Sequence, residues 1–453
     1  FGAASLLTML NSADGADYYV DPADANAYPT VQAAVDAVFG QSEFNRANIF
    51  IAPGSYHELV MVDKPYVSFI GTGDSPKATT ISFSRAYVAG GFDYGEIVHI
   101  NEGAVAFMAR NLTFENSLPD KNLSPGLAVR SSADRVIFDN VRVLGYQDTF
   151  LLDGMSRQYF RDGFVTGDTD FIFGDATAVF DHCTIESTDE GYITASRTSR
   201  ATANGFIFLD CSLVSGHDRG LPGDDNTAPG PGTVFLGRPW QWWDPGTMSS
   251  VIFIRTKMGS HIAGAGWDPW NDPGVPGANS KADRDPLTRF SEFNSMDLNG
   301  NLLADSNGDG TPNGRVPWAD PMPEEQAANY TLEHIFGPVS FWDSSTQPQA
   351  SGTDYESQGD PWNPIAQLAF LPTEPGAPSQ ALNISTRLKA ETGDNVLIAG
   401  FILTGAGPRQ VLLRAMGPSL EQADIDDALE DPVLELHAAD GTRLAFNNSW
   451  RYS

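Results

Sequence analysis

One short phrase recurs through the middle of the chain and limits its fold more than any other feature. The copies are Asn111-Leu-Thr-Phe114, Asn140-Val-Arg-Val143, Asp162-Gly-Phe-Val165, His182-Cys-Thr-Ile185 and Asp210-Cys-Ser-Leu213. Each is a polar residue followed by an apolar, any, apolar triplet, and the first members lie 29, 22, 20 and 28 residues apart. A unit of that length with one inward strand signature cannot bury its apolar face alone, but stacked copies can. The repeat predicts an all-β solenoid whose coils lie about 4.8 Å apart. A sandwich would show strands about every 8 to 12 residues with hairpin turns, and would leave the recurrence unexplained.

At 453 residues the chain suits one large domain and a smaller one. Residues 1–16 open on FGAASLLTML and read as the remnant of a secretory signal or a disordered N-terminus. The β-rich domain is expected over 17–342, with one helix at Val31–Phe39. A linker poor in apolar residues follows over 343–378, and then a small β-rich accessory module over 379–453. That module resembles one appended to secreted bacterial proteins, so the chain reads as a secreted, bacterial-type exoprotein.

Charge narrows the partners. With 27 Lys+Arg against 58 Asp+Glu, the net charge of −31 repels phosphate backbones and anionic lipid, so neither nucleic acid nor membrane is an expected partner. The two cysteines, Cys183 and Cys211, lack nearby His at ligand spacing and make no zinc site; a disulfide and two buried thiols both stay open. In Asp305-Ser-Asn-Gly-Asp-Gly310, side-chain oxygens precede a glycine as in the first half of a calcium loop. The twelfth position is Val316, so Asp305, Asn307 and Asp309 are candidate ligands of a structural calcium without the acidic completion. No cofactor is expected.

Asp148 and Asp170 are 22 residues apart, about one coil. Stacked coils would hold their carboxyl groups roughly 5 Å apart, too close for both to ionise freely. One would keep its proton as an acid while the other stays an anion able to attack. Arg238, in Gly237-Arg-Pro-Trp240, is the candidate cation that decides which, and Trp240, Trp242 and Trp243 are candidate stacking surfaces for sugar rings. From spacing alone the competing reading stays open, since aspartates in Gly-rich turns commonly brace backbone. No Gly-x-Ser-x-Gly elbow is present to support a serine triad.

GYQDTF at 145–150, DFIFGDA at 170–176 and LGRPW at 236–240, in this order, resemble the signature blocks of the pectin methylesterase family. The resemblance extends over about residues 17–342 and includes Pro53-Gly-Ser-Tyr-His-Glu58, Tyr192-Ile-Thr-Ala195 and His261–Trp270. It implies a right-handed parallel β-helix, a monomer, and hydrolysis of galacturonate methyl esters in pectin to methanol and pectate. It further implies Asp170 as nucleophile, Asp148 as general acid and base, Gln147 as oxyanion donor and Arg238 as the group that orients and charges Asp170. Phe173 and Trp240 would line the sugar groove, with Trp242 added by extension.

Two departures from the family pattern stand out. Pro125 replaces the Gln that usually supplies a second oxyanion donor, and proline has neither a side-chain donor nor an N–H. Losing one such donor costs about 2.7–4 kcal/mol in characterised hydrolases, so Ser124 must compensate, or the enzyme is slow or takes another ester. Leu151 stands where the family often has an aromatic. A non-catalytic pectin-binding protein and an esterase for other acyl esters are the alternatives. The shortage of lysine disfavours a polysaccharide lyase on the same fold.

Overall fold

The structure, a computed structural model, describes residues 17–43, 46–87, 95–119, 125–200, 202–216, 228–240, 246–270, 288–337, 362–368, 371–372, 434–437 and 443–447. Compact packing divides the chain into Ala13–Ala377 and a second unit of Phe1–Ser12 with Pro378–Ser453. In the second unit the described elements are the antiparallel strands Leu434–His437 and Arg443–Asn447. The expected signal remnant at 1–16 lies outside the described residues.

The larger unit is a parallel β-helix. Its first face takes one strand from each coil, ten in all, running from Asp17–Val20 to Arg289–Phe293. The second runs from Gly54–His57 to Met296–Asp297, and the third from Val60–Val62 to Val234–Pro239. Two long strands, Phe164–Gly174 and Thr184–Ser196, belong to both the second and third faces and weld them into one sheet. Coils therefore stack in register. Phe138, Phe160, Phe180, Phe208 and Phe253 are successive partners on the first face and form an interior aromatic column. Its last rings stack face to face, with centroids 4.7 Å and 4.4 Å apart. Such contacts contribute about 0.5–1.5 kcal/mol each beyond the area they bury.

The recurring phrase acquires a geometric meaning here. Its first members, Asn111, Asn140, Asp162, His182 and Asp210, all have φ between 51° and 55°. Asn and Asp tolerate this left-handed region best among non-glycine residues, which is why they begin four of the five copies. Each turns the chain between the first face and the second, and each N–H bonds the next coil, as in Asn140 to the Arg161 carbonyl at 2.9 Å. Arg255 and Asn294 (both φ 51°) continue the series, two turns that sequence reading missed because their coils carry longer insertions.

Helix Val31–Ala37 closes on the first coil, with Thr30 as N-cap accepting the Ala33 N–H. It ends before the predicted Phe39 because Val38 is already extended and Gly40 has φ 71°. At the other end, helix Leu332–Phe336 is capped by Thr331. Ile335 and Phe336 pack with Trp362, Leu368 and Leu371 on the outside of the first face. The last three belong to the expected linker 343–378; its described part thus lies against the β-helix, with Arg110 donating to the Leu368 and Leu371 carbonyls.

Cys183 and Cys211 follow two successive corner residues and are buried thiols, donating to the Phe160 and Phe180 carbonyls at 3.3 Å. Of the two states left open by the sequence, the structure shows the thiols. No helix among the described residues is long and apolar enough to cross a membrane.

Candidate active site

The site lies on the outer surface of the third face. Met61, His99, Arg130, Leu151, Phe173, Ala195 and Arg238 are successive register partners, a stripe climbing the coils. Within it Leu151, Phe173 and Ala195 form an apolar patch with Leu127, flanked by half-buried Trp240 and Trp270. The motif glycines permit this stacking. A Cβ on Gly174 (φ 125°) would lie 1.9 Å from the Leu152 carbonyl oxygen, and one on Gly237 would lie 2.0 Å from Thr194 Oγ1.

Beside the patch stand Asp148 and Asp170. Phe150 pairs with Ile172, so the two aspartates hold equivalent positions on adjacent coils, and the Asp148 N–H bonds the Thr169 carbonyl at 3.1 Å. Both have left-handed backbone, φ 60° and 51°. Positive φ by itself does not mark the site, since the corner residues share it; Asp170 differs from them in being buried, only 6% exposed.

Arg238 separates the roles of the two carboxyls. Its Nε donates to Asp170 Oδ1 at 2.9 Å and its Nη2 to Oδ2 at 2.6 Å. The Asp148 side chain makes no hydrogen bond among the described residues. Burial and the neighbouring Asp170 charge push Asp148 well above the usual carboxylate range. Burial also raises Asp170, but Arg238 opposes that shift directly. Arg238 thus favours the ionised form of Asp170, while burial and the Asp170 charge favour the protonated form of Asp148.

Three residues to which sequence reading assigned no role fix Arg238. Its guanidinium lies between two aromatic rings, 4.0 Å from the Tyr192 centroid and 4.2 Å from that of Trp270. Tyr192 is held in turn by its hydroxyl donating to Asp268 Oδ2 at 2.9 Å. Tyr192-Ile-Thr-Ala195 and Trp267-Asp-Pro-Trp270 both lie in blocks of the resemblance, which was the only signal available for them.

Gln147 is half-buried next to Asp148 and its amide makes no hydrogen bond among the described residues, leaving it available as a donor. Pro125 accepts the Tyr87 N–H through its carbonyl at 2.8 Å and brings no donor. Ser124, Trp242 and Trp243 lie outside the described residues. Leu151, 2% exposed, fills the apolar patch. The Asp305 loop sits far along the chain in an exposed turn, where Asp305 accepts the N–H groups of Asn307, Gly308 and Gly310 and Asp309 accepts that of Thr311. Those bonds give the candidate ligands a turn-bracing role. Asp181, His182 and Asp210 also cluster within 4.8 Å at a corner, but Arg255 spans both Asp210 oxygens and Tyr159 donates to Asp181.

Comparison with known proteins places the chain in a family and a fold. The pectinesterase family model matches residues 17–278. Pectinesterase 31 of Arabidopsis thaliana is 31% identical over 324 residues, covering 68% of this chain and 88% of the relative. Pectinesterase QRT1 of the same plant is 32% identical over 323 residues, covering 68% and 74%. Among solved structures, pectin methylesterase PemA from Erwinia chrysanthemi superposes with a TM-score of 0.56 at 23% identity, over 72% of this chain and 97% of the other. The carrot pectin methylesterase gives 0.56 at 24% identity, over 75% and 98%. At these identities the two structures speak for the fold.

Proposed function

We propose, for a chain that belongs to the pectinesterase family and is thereby a carboxylic ester hydrolase, that Asp170 and Asp148 divide the hydrolysis of galacturonate methyl esters in pectin between them. An Asp170 oxygen attacks the C6 carbonyl, and the Gln147 amide donates to the oxygen that gains charge. As the C6–methoxy bond breaks, Asp148 gives its proton to the departing oxygen and methanol leaves. Asp148, now a carboxylate, takes a proton from water, whose oxygen adds to C6. The acyl bond to Asp170 then breaks, restoring its carboxylate beside a protonated Asp148, and the galacturonic acid unit released gives its proton to solvent to become galacturonate.

The observation that carries this reading is the asymmetric pairing: Arg238 grips Asp170 through both oxygens and leaves Asp148 unbridged. Phe173 and Trp240, meeting edge to face at 5.5 Å, offer apolar ring surface to the sugars. The substrate is a polymer too large to enter a cell, which supports an extracellular exoprotein, and each chain carries both carboxyls, which suits action as a monomer. Incubation with highly methylated pectin should release methanol, and Asp170→Ala should release none; equal release from both would refute the assignment.

Pro125 favours one second reading, a slow enzyme or one directed at another acyl ester, because the site has one oxyanion donor fewer than the family pattern. A panel of acetyl, feruloyl and methyl esters separates it: a larger kcat/KM on a non-methyl ester would support it.

A further inference from the structure

Next to the candidate site a second row of side chains continues the third face. Leu152, Gly174, Ser196 and Pro239 are register partners, so the residues after them, Asp153, Asp175, Arg197 and Trp240, stand level on four successive coils. The backbone holds them there: the Arg197 N–H bonds the Gly174 carbonyl and the Trp240 N–H bonds the Ser196 carbonyl, each at 2.9 Å. Arg197 lays its guanidinium over the Trp240 ring, 4.8 Å from the centroid. Its Nη2 also reaches Asp175 Oδ2 at 3.4 Å, and Asp175 is itself held by the Met155 N–H at 3.1 Å.

We propose that Arg197 is a positioning residue, which fixes the Trp240 indole in the orientation that receives a sugar ring. This rests on the reading of Trp240 as part of the pectin groove. Trp240 follows the last residue of its strand, where a side chain gains freedom; it packs on the apolar patch and meets Phe173 edge to face. A planar guanidinium stacked on the indole restrains the ring plane as well, and Asp175 keeps that guanidinium from swinging away. The bound sugar then meets an ordered surface, and less freedom is lost on binding. Arg197 touches no reacting atom, so its effect falls on binding and reaches the substrate only through Trp240.

The test uses calorimetric binding of a methylated oligogalacturonide and steady-state methanol release. Arg197→Met should weaken binding and raise KM about fivefold while kcat changes less than twofold, and Arg197→Lys should recover part of the loss. In a Trp240→Ala background, Arg197→Met should change neither binding nor KM by more than about 1.5-fold. Asp175→Asn, which weakens the hold on the guanidinium, should produce a smaller loss in the same direction, and serves if Arg197→Met does not fold. Unchanged binding, or a loss that persists in the Trp240→Ala background, would overturn the proposal. A wild-type protein that binds the oligosaccharide without releasing methanol would refute the hydrolytic assignment, and the binding series would still decide the role of Arg197.

Discussion

Arg238 closes both oxygens of Asp170 in a two-bond fork, at 2.9 Å and 2.6 Å, while its own plane is held between the rings of Tyr192 and Trp270. A single planar cation thus favours the ionised form of one carboxyl and makes no such fork with its neighbour on the adjacent coil. Tyr192, whose hydroxyl is pushed up to about 12 by burial and by Asp268, stays a neutral ring and donor throughout the working range.

Replacing Arg238 by Lys removes the fork and the stacking but keeps a positive charge. Asp170 then loses part of the field that lowers its pKa, so it ionises at higher pH than in the wild type. The acidic limb of the kcat/KM profile should move upward, and kcat at pH 7 should fall roughly a hundredfold, about 2.7 kcal/mol of barrier. A pH–rate profile with its acidic limb unmoved would show that Asp170 is not the group titrating there.

Asp148 should reveal itself through stability as well as rate. Its folded pKa is raised, so the native state holds a proton that the unfolded chain releases. That contribution is complete below about pH 3.9, the unfolded value, and is lost as pH rises through the folded one. Asp148→Asn stays neutral at every pH. It should abolish methanol release and raise the melting temperature at pH 7.5 by roughly 2 °C, with no gain at pH 3.5. Melting curves at both pH values check the sign.

The net charge of −31 acts on turnover through the product. Hydrolysis converts a neutral polymer into a polyanion that an acidic surface repels, and salt screens that repulsion over about 8–10 Å. Activity on partly demethylated pectin should rise with moderate NaCl, whereas a monotonic fall from the lowest salt would contradict the electrostatic account.

The corner series makes a prediction about the fold alone. Asn140 has φ 53°, and its Nδ2 donates to Asn111 Oδ1 at 3.1 Å on the neighbouring coil. Asn140→Val puts a β-branched side chain in the left-handed region and should destabilise by about 1–2 kcal/mol, while Asn140→Gly should cost less than Asn140→Val. Denaturant unfolding of the three proteins gives the order.

The repeat of polar residue and apolar triplet made the solenoid legible, because a left-handed corner selects Asn or Asp and the inward strand that follows selects apolar side chains. Those are local demands, met within four residues and therefore written in the sequence. It missed Arg255 and Asn294, where long insertions broke the period and a local phrase no longer announced the turn. That Asp148 and Asp170 lie one coil apart was legible for the same reason, while their selection as site residues came from the motif blocks of the resemblance. Their closeness implies that only one ionises freely, and the resemblance implies which; the clamp around Arg238 was not legible. The fork from Arg238 joins residues 68 apart in the chain, and the rings that clamp it come from Tyr192 and Trp270 on other segments. Stacked coils bring such residues together through backbone register, and the low exposure of Asp170 strengthens the effect of that one cation on its carboxyl. The sequence by itself determined the coil, its corners and the one-coil spacing of the two carboxyls; only the tertiary structure decided how Arg238 meets them, in a fork to Asp170 clamped by Tyr192 and Trp270, because register across coils sets that geometry and burial sets its energy.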